Sequence, residues 1–332
     1  MRKIATVLCM MIFVSIVLIG CSKKSDKQSE TNMVIEVASL KGPTSLGLLK
    51  MMDEVNQDDY ENEYNFNIYQ AADEIVTKVV KGEVDIALVP ANVASILYQK
   101  TSQQVQVVDI NTLGVIYVVE HGDTIQQMSD LVGKTICMTG KGTVPEFAFS
   151  YILNKNGLSM EDMNIEFKSE PTEVIAFLSK DSDAVGIIPQ PFVSSASMQD
   201  ENLRIALNLS EEWSKVDTES SFITGVTIVR KEFLDANEEV IHQFLEDHAE
   251  SVAYVNSNVE EAATIAETKD IVKAAVAKSA IPYCNIVCIT GDELQNQLSG
   301  YLQTLFDANK ESVGGTLPDE GFYYTGGSQE KD

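Results

Sequence analysis

A chain of 332 residues with 44% hydrophobic and 22% charged residues has the make-up of a globular protein with room for about two cores. Its formal net charge is −26 and it holds three arginines, Arg2, Arg204 and Arg230. Phosphates would be repelled, so nucleic acid is excluded as a partner and a polybasic membrane patch is disfavoured; the charge favours solubility and names no ligand.

Met1-Arg-Lys is a basic start, and Ile4 to Ile19 is apolar but for Thr6, Cys9 and Ser15. A run of about sixteen residues is short for a membrane span and suits an export signal, here residues 1–20. Leu18-Ile-Gly-Cys21 resembles a bacterial lipobox, which implies cleavage before Cys21 and diacylation of its sulfur. A plain signal peptide or a short anchor is the alternative. Lipid chains would hold the protein to the outer face of the bacterial cell membrane without crossing it. Residues 21–32 are polar and lack apolar periodicity, so they read as a disordered tether.

Met33 to Leu40 alternates as a first strand. Gly42 then permits a tight turn, and Thr44 or Ser45 can cap a helix carrying Leu48, Leu49, Met51 and Met52. Tyr64–Gln70 and Asp85–Val89 read as strands around a helix at Ala72–Lys81, and Val105–Ile110 and Leu113–Glu120 as two more strands. A second half opens after His121, with a strand through Thr139, a glycine loop at 140–146 and a helix to Asn156. Strands follow at Ile165–Lys168 and Leu203–Leu209, and Ile223–Arg230 is a strand returning to the first half. Helices fill Asp235–Asn256, Val259–Thr268, Ile271–Ala280 and Asp292–Asn309. Such alternation predicts an α/β protein with largely parallel sheets. The expected division is lobe 1 at 33–118 and 222–318, lobe 2 at 119–221, and a flexible tail at 319–332.

One pattern occurs twice. The helix–strand–helix run through Gly82 to Gln99 returns at Glu173 to Ser195, aligning Glu74 with Glu173, Lys81 with Lys180, Asp85 with Asp183 and Pro90 with Pro189. Two copies of one α/β unit would place two carboxyl-end strand edges across a cleft, where open α/β sheets bind ligands.

Catalytic patterns are thin: there is no G-x-S-x-G elbow and no H-E-x-x-H, and Gly133-Lys-Thr135 lacks the first glycine of a P-loop because Met128 stands there. His242 and His248 read as solvated and His121 as a residue of the lobe junction. Asp58-Asp59 and Glu260-Glu261 read as solvated charges. Cys284 and Cys288 are spaced C-x3-C with no histidine nearby, which is not the usual zinc spacing; a disulfide is the alternative. Cys137 reads as a buried thiol. No cofactor and no metal is expected.

Five segments then occur in order: Leu40-Lys-Gly-Pro-Thr44, Gly140-Lys-Gly-Thr-Val-Pro-Glu146, Pro189-Gln-Pro-Phe192, Ile281-Pro-Tyr-Cys-Asn-Ile-Val287 and Leu317-Pro-Asp-Glu-Gly-Phe-Tyr323. Together, from about Val34 to Tyr324, they resemble the substrate-binding lipoproteins of ABC importers in the sulfonate/taurine and thiamine-pyrimidine-precursor (NMT1/THI5-like) group. The resemblance implies a type-2 periplasmic-binding fold, two α/β lobes joined by two crossover strands. It also implies permease and ATPase partners and a small polar ligand, either a sulfonate-like anion or a pyrimidine-like heterocycle. A monomer without catalytic activity is expected; an enzyme on the same fold, or an extracytoplasmic sensor, is the alternative. One fold hosts many ligands.

Helix starts at Thr44/Ser45, Ala91/Asn92 and Gly142/Thr143 carry free N–H groups that suit an anion, or are simply capped. Lys41 is the cation nearest such an edge, whereas Arg204 and Arg230 lie on strands away from predicted loops. Glu146 either completes a capping box with Thr143 or accepts hydrogen bonds from an amino-heterocycle. Tyr117, Phe147, Phe192 and Phe222 could form a stacking wall or belong to the core. Gln190, after the second repeat's strand, and Thr224, on the returning strand, complete the candidate set, with hinges expected near Glu120 and Phe222.

Overall fold

The computed structural model describes residues 33–55, 60 and 62–326. The export signal, Cys21, the tether, Asp58-Asp59 and residues 327–332 lie outside the described residues. In chain order the strands are β1 (Val34–Leu40), β2 (Glu63–Tyr69), β3 (Ile86–Pro90), β4 (Val105–Leu113), β5 (Ile116–His121), β6 (Thr135–Met138), β7 (Asn164–Phe167), β8 (Val185–Pro189), β9 (Leu203–Asn208), β10 (Ile223–Arg230) and β11 (Ile286–Ile289). They form two sheets, β2-β1-β3-β10-β4-β11 and β7-β6-β8-β5-β9.

The two sheets share one plan. Each begins with a parallel trio, β2-β1-β3 or β7-β6-β8. An antiparallel strand follows, β10 against β3 and β5 against β8. It pairs in turn with an antiparallel β4 or β9. β5 follows β4 in sequence yet lies in the other sheet, and β10 follows β9 and returns. These are the two α/β lobes and two crossover strands of the periplasmic-binding fold.

The repeated strands are central because they are apolar on both faces. Ala87 and Val89 of β3 enter one core cluster, while Ile86 and Leu88 enter another on the opposite face. In β8, Val185 and Ile187 face the first cluster and Ile188 a third. A parallel trio covered by helices on both sides buries such runs, each large side chain contributing about 1.5–3 kcal/mol. The first cluster spans both lobes through the helix Gly291–Ala308, whose Leu294, Leu298, Tyr301, Leu302 and Leu305 are buried in it. Among the described residues no helix is long and apolar enough to cross a membrane.

Several boundaries differ from the sequence expectation. β5 lies wholly in the second sheet, so a boundary after residue 118 runs through a strand. The helix expected from Asp235 breaks at Asn237, whose φ of −142° is not helical, giving Lys231–Ala236 and Glu238–Ser257. The helix expected from Ile271 begins at Ala274. Residues 319–326 are not a flexible tail: Phe322 is fully buried, Tyr98 donates to Asp319, and the Tyr324 N–H donates to the Val107 carbonyl at 2.9 Å. The aromatic patch Phe322-Tyr-Tyr324 anchors this otherwise polar stretch.

Two features hold the crossovers. A Cβ on Gly114, which precedes β5, would overlap the Phe222 ring, just before β10, so the two connections touch. Glu120, at the far end of β5, is buried against Arg204 and accepts from the N–H groups of Thr124 and Ile125. Burial alone would raise its pKa, but the Thr124 hydroxyl, the Ile125 N–H and Arg204 outweigh it and hold the carboxyl below its ordinary range.

A carboxyl with a depressed folded pKa stabilises the fold above the unfolded value of about 4.3, and that stability is lost as pH falls through the folded pKa. Glu120→Gln is therefore expected to cost about 1–2 kcal/mol in chemical denaturation at neutral pH, with the difference from wild type shrinking below about pH 4. Gly114→Ala is expected to destabilise by about 1–3 kcal/mol through overpacking against Phe222, and Phe222→Leu in the same chain to recover part of that loss in a double-mutant cycle.

Candidate functional site

The two repeats end at one place. Pro90 and Pro189 line the same cavity, whose volume is about 230 Å³. Asn92 comes with the first repeat and Ile187 with the second. Thr139, Val144 and Pro145 come from the glycine loop and its helix; Val115, Ile116, Phe222, Ile223 and Thr224 come from the crossovers, and Tyr301 from the long helix. The strand-to-helix turns explain the convergence. The helix Ala91–Lys100 starts directly after Pro90, whose ψ of 141° turns the chain out of the sheet, and Val144–Lys155 starts after an extended Thr143. Both aim the partial positive charge of a helix start at the cavity from opposite lobes. The first helix has no acidic residue in its first turn, whereas the second carries Glu146.

Of the candidate residues, the structure brings Asn92 and Thr224 to the cavity, with Phe222 beside them. Asn92 Nδ2 donates to the Ser312 carbonyl at 3.3 Å. Lys41 is drawn to Asp270 at 3.2 Å. Ser45 is fully buried and its hydroxyl donates to the Gly42 carbonyl, while the Thr44 methyl lies where a Cβ on Gly225 would meet it at 3.1 Å. Thr143 does not cap its helix through its side chain; its hydroxyl donates to the Gly140 carbonyl at 2.7 Å. Glu146 reaches back to the Gly142 N–H, so only half of the expected capping box forms, one residue early.

Tyr117 is buried and donates to the Tyr283 carbonyl, linking the second sheet to the segment before β11. Burial raises its phenol pKa, so it stays protonated. Gln190 is 2% exposed; its Oε1 accepts from the Ser194 N–H at 3.3 Å and its Nε2 has no partner among the described residues. Phe192 lies elsewhere, in a groove of the second lobe together with His121 and Asp200. His121 Nε2 is 2.8 Å from Asp200, an ion-pairing position rather than a free junction residue.

Three residues of this region were not singled out from sequence. Thr139 directly follows β6, so the strand-edge rule applied to every parallel strand would have found it. Tyr301 and Trp213 had no such signal. Trp213, the chain's one tryptophan, stacks on Phe222 with ring centroids 5.8 Å apart and contacts Tyr301 at 5.7 Å, so it backs two cavity-lining rings. Its indole N–H donates to Ser220 at 3.1 Å.

The arginines are committed. Arg204 binds Glu120 and the carbonyls of Gly122 and Ile125, so it sits beside a loop after all. Arg230 binds Asp85 at 2.6 Å, and Asp85 also accepts from the Glu36 N–H. Asp183, its partner in the repeat, is exposed and makes no such pair among the described residues, so the copies share geometry and not chemistry. Glu260 is paired with Lys278.

His248 is not solvated. It is fully buried, with Nδ1 2.9 Å from Asp109, whose other oxygen accepts from Thr227 at 2.7 Å; Asn111 donates to the same Thr227 hydroxyl at 3.2 Å. The i, i+6 spacing to His242 said nothing of this, because the partner lies 139 residues away in sequence. His242 instead meets the Tyr324 hydroxyl at 3.0 Å. Cys137, Cys284 and Cys288 are all free thiols, so no disulfide joins the last two; burial pushes Cys284 up to about 12.

A family model described as NMT1/THI5 like matches residues 61–262. No curated protein matches the chain. Among solved structures, the fold is similar to an ABC transporter protein from Parabacteroides distasonis, with a TM-score of 0.74 and 21% identity over 88% of this chain and 98% of that one. It is also similar to the periplasmic aliphatic sulphonate binding protein SsuA of Escherichia coli, with a TM-score of 0.66 and 16% identity over 86% and 92% of the two chains. A third, a putative periplasmic sulfonate-binding protein from Methylobacillus flagellatus KT, has a TM-score of 0.62 and 16% identity over 88% and 91%. Those likenesses concern the fold. The family model covers more than half of the sequence, and the chain belongs to the NMT1/THI5-like family.

Proposed function

We propose that this protein is the solute-binding component of an ABC importer, that it performs no chemistry, and that its ligand is a small polar ring compound held between the two lobes. The observation that carries the reading is the cavity at which both repeats end. No charged side chain is among its lining residues. Its polar side chains are Asn92, Thr139, Thr224 and the Tyr301 phenol, which burial keeps neutral. Phe222 and Tyr301 supply apolar ring faces, and about 230 Å³ suits a solute smaller than a typical drug.

A fully ionised sulfonate would find no cationic side chain in that lining, and the candidate cations Lys41, Arg204 and Arg230 are paired with acids elsewhere. The two helix starts favour instead an acceptor group on an otherwise neutral ring. The lobes, one around each sheet, would move about the crossovers at Gly114 and Phe222. The lipobox reading places the protein outside the cell, held by lipid on Cys21 as a monomer and presenting its ligand to a permease and its ATPase.

Ligand binding is tested by melting temperature and by Trp213 emission, because a ligand against Phe222 and Tyr301 alters the surroundings of the one tryptophan. A neutral aminopyrimidine at a hundred times its Kd is expected to stabilise by about 2.7 kcal/mol and to shift the emission. Tighter binding of alkanesulfonates than of neutral rings would reject the ligand class and leave the transport reading standing. Silence of both signals across both classes, or turnover of any of them, would reject the transport reading. Asn92→Ala with Thr224→Ala is expected to weaken binding by about 1–2 kcal/mol per lost hydrogen bond, read by the same titration. Cys21→Ala is expected to release the protein from the membrane fraction of cells and to abolish fatty-acid labelling.

A further inference from the structure

On the face of the first sheet covered by the helix Glu238–Ser257, three side chains from distant parts of the chain meet. Asp109 comes from β4, His248 from that helix and Cys288 from β11, and their ligand atoms all lie within 4.8 Å of one another. His248 Nδ1 is 2.9 Å and Cys288 Sγ 4.0 Å from the same Asp109 oxygen. Asp109 and His248 are fully buried. We infer that these three residues form a closed site for one zinc-like divalent cation, which would tie β4, the helix and β11 together.

The donor set fits the ion. Zinc takes imidazole nitrogen, thiolate sulfur and carboxylate oxygen at four-coordinate sites. Tetrahedral bonds of the usual lengths place nitrogen and oxygen about 3.3 Å apart and sulfur and oxygen about 3.5 Å apart. The two separations to the Asp109 oxygen reach those values with movements of about half an ångström, one opening and one closing, and the nitrogen–sulfur separation, within 4.8 Å, has to close to about 3.6 Å. A fourth oxygen is at hand in the Leu245 carbonyl, 3.9 Å from Sγ and one turn before His248.

Charge and orientation agree. A divalent ion with one carboxylate, one thiolate and a neutral imidazole is neutral overall, as a buried site requires. The second Asp109 oxygen is held by Thr227, itself held by Asn111, which is the outer hydrogen bonding that aims a metal-ligating carboxylate. His248 Nε2 and Ser251 Oγ, three residues apart on one helix, are buried without partners among the described residues. A cation on Nδ1 leaves these two atoms as they are, so the outer hydrogen bonding here serves the carboxylate and not the imidazole. The place is separate from the ligand cavity, whose lining contains none of the three.

Because Asp109 and His248 are closed to solvent, the ion would enter during folding. The full chain is to be unfolded with a chelator and a thiol reductant, freed of both, and refolded with Co²⁺ or Zn²⁺ alone. One cobalt per chain, with a thiolate-to-cobalt charge-transfer band that zinc displaces, is expected. That band should vanish in Cys288→Ser and persist in Cys137→Ser and Cys284→Ser, and the zinc-refolded protein should melt above the metal-free one. No thiolate band in the wild type, or a band that survives Cys288→Ser, overturns the proposal and leaves the Asp109–His248 pair as a core hydrogen bond. Should Cys288→Ser fail to refold, zinc-edge X-ray absorption on the refolded wild type decides: one sulfur at about 2.3 Å supports the site, and a shell of nitrogen and oxygen only rejects it.

Discussion

Contact between the two chain crossings governs this structure. Gly114 leaves no Cβ where the Phe222 ring lies, so β5 leaves the first sheet and β10 re-enters it in contact with each other's connections. Each sheet thereby has, as its fourth strand, a segment whose preceding strand in sequence belongs to the other. The exchanged strands run antiparallel to the repeated ones, so β5 borders β8 and β10 borders β3. The cavity lies where those pairings end: Ile116 is registered with Pro189, and Gly225 with Pro90. The site is thus a consequence of the exchange and not an addition to it.

Much of this was legible in the sequence, for reasons that particular residues make plain. The repeated strands announce themselves because a central parallel strand must be apolar on both faces, and Pro90 and Pro189 must end it. Cavity-edge residues that follow such strands, such as Asn92, come with that logic. Residues whose role depends on a distant partner do not. His248 reads as one more polar residue on a surface helix until Asp109 is placed beside it, and Phe322 reads as part of a polar tail until the pocket against Tyr98 exists. Phe192 failed for a subtler reason: the second repeat departs from the first after its proline. Its helix begins two residues later and turns that ring toward the outer groove with His121.

The acidic balance of the chain is resolved by spending its few guanidinium groups on structure. Arg204 closes the crossover after β5 through Glu120, and Arg230 closes the base of β3 through Asp85. Both pairs are partly buried, where breaking one partner strands the other and costs more than an exposed pair would. The cavity between the lobes, by contrast, is lined by an amide, hydroxyls, helix starts and rings and by no charged side chain.

The segment before β11 connects these levels. Asn285 takes a left-handed backbone with φ of 45° and donates its side-chain amide to the Gly114 carbonyl, while the Leu113 N–H donates to the Asn285 carbonyl at 3.0 Å. Asparagine tolerates that conformation at small cost, which a β-branched residue would not. Two residues earlier, the Tyr283 carbonyl accepts from Tyr117, on the strand that has just crossed. One short turn therefore grips the crossing on its near side and the second lobe on its far side. The Tyr117 bond joins the second sheet to this turn, whereas the Asn285 bonds lie on the first sheet's side of the crossing. The Gly114–Tyr117 stretch that carries these bonds lies three to six residues before Glu120.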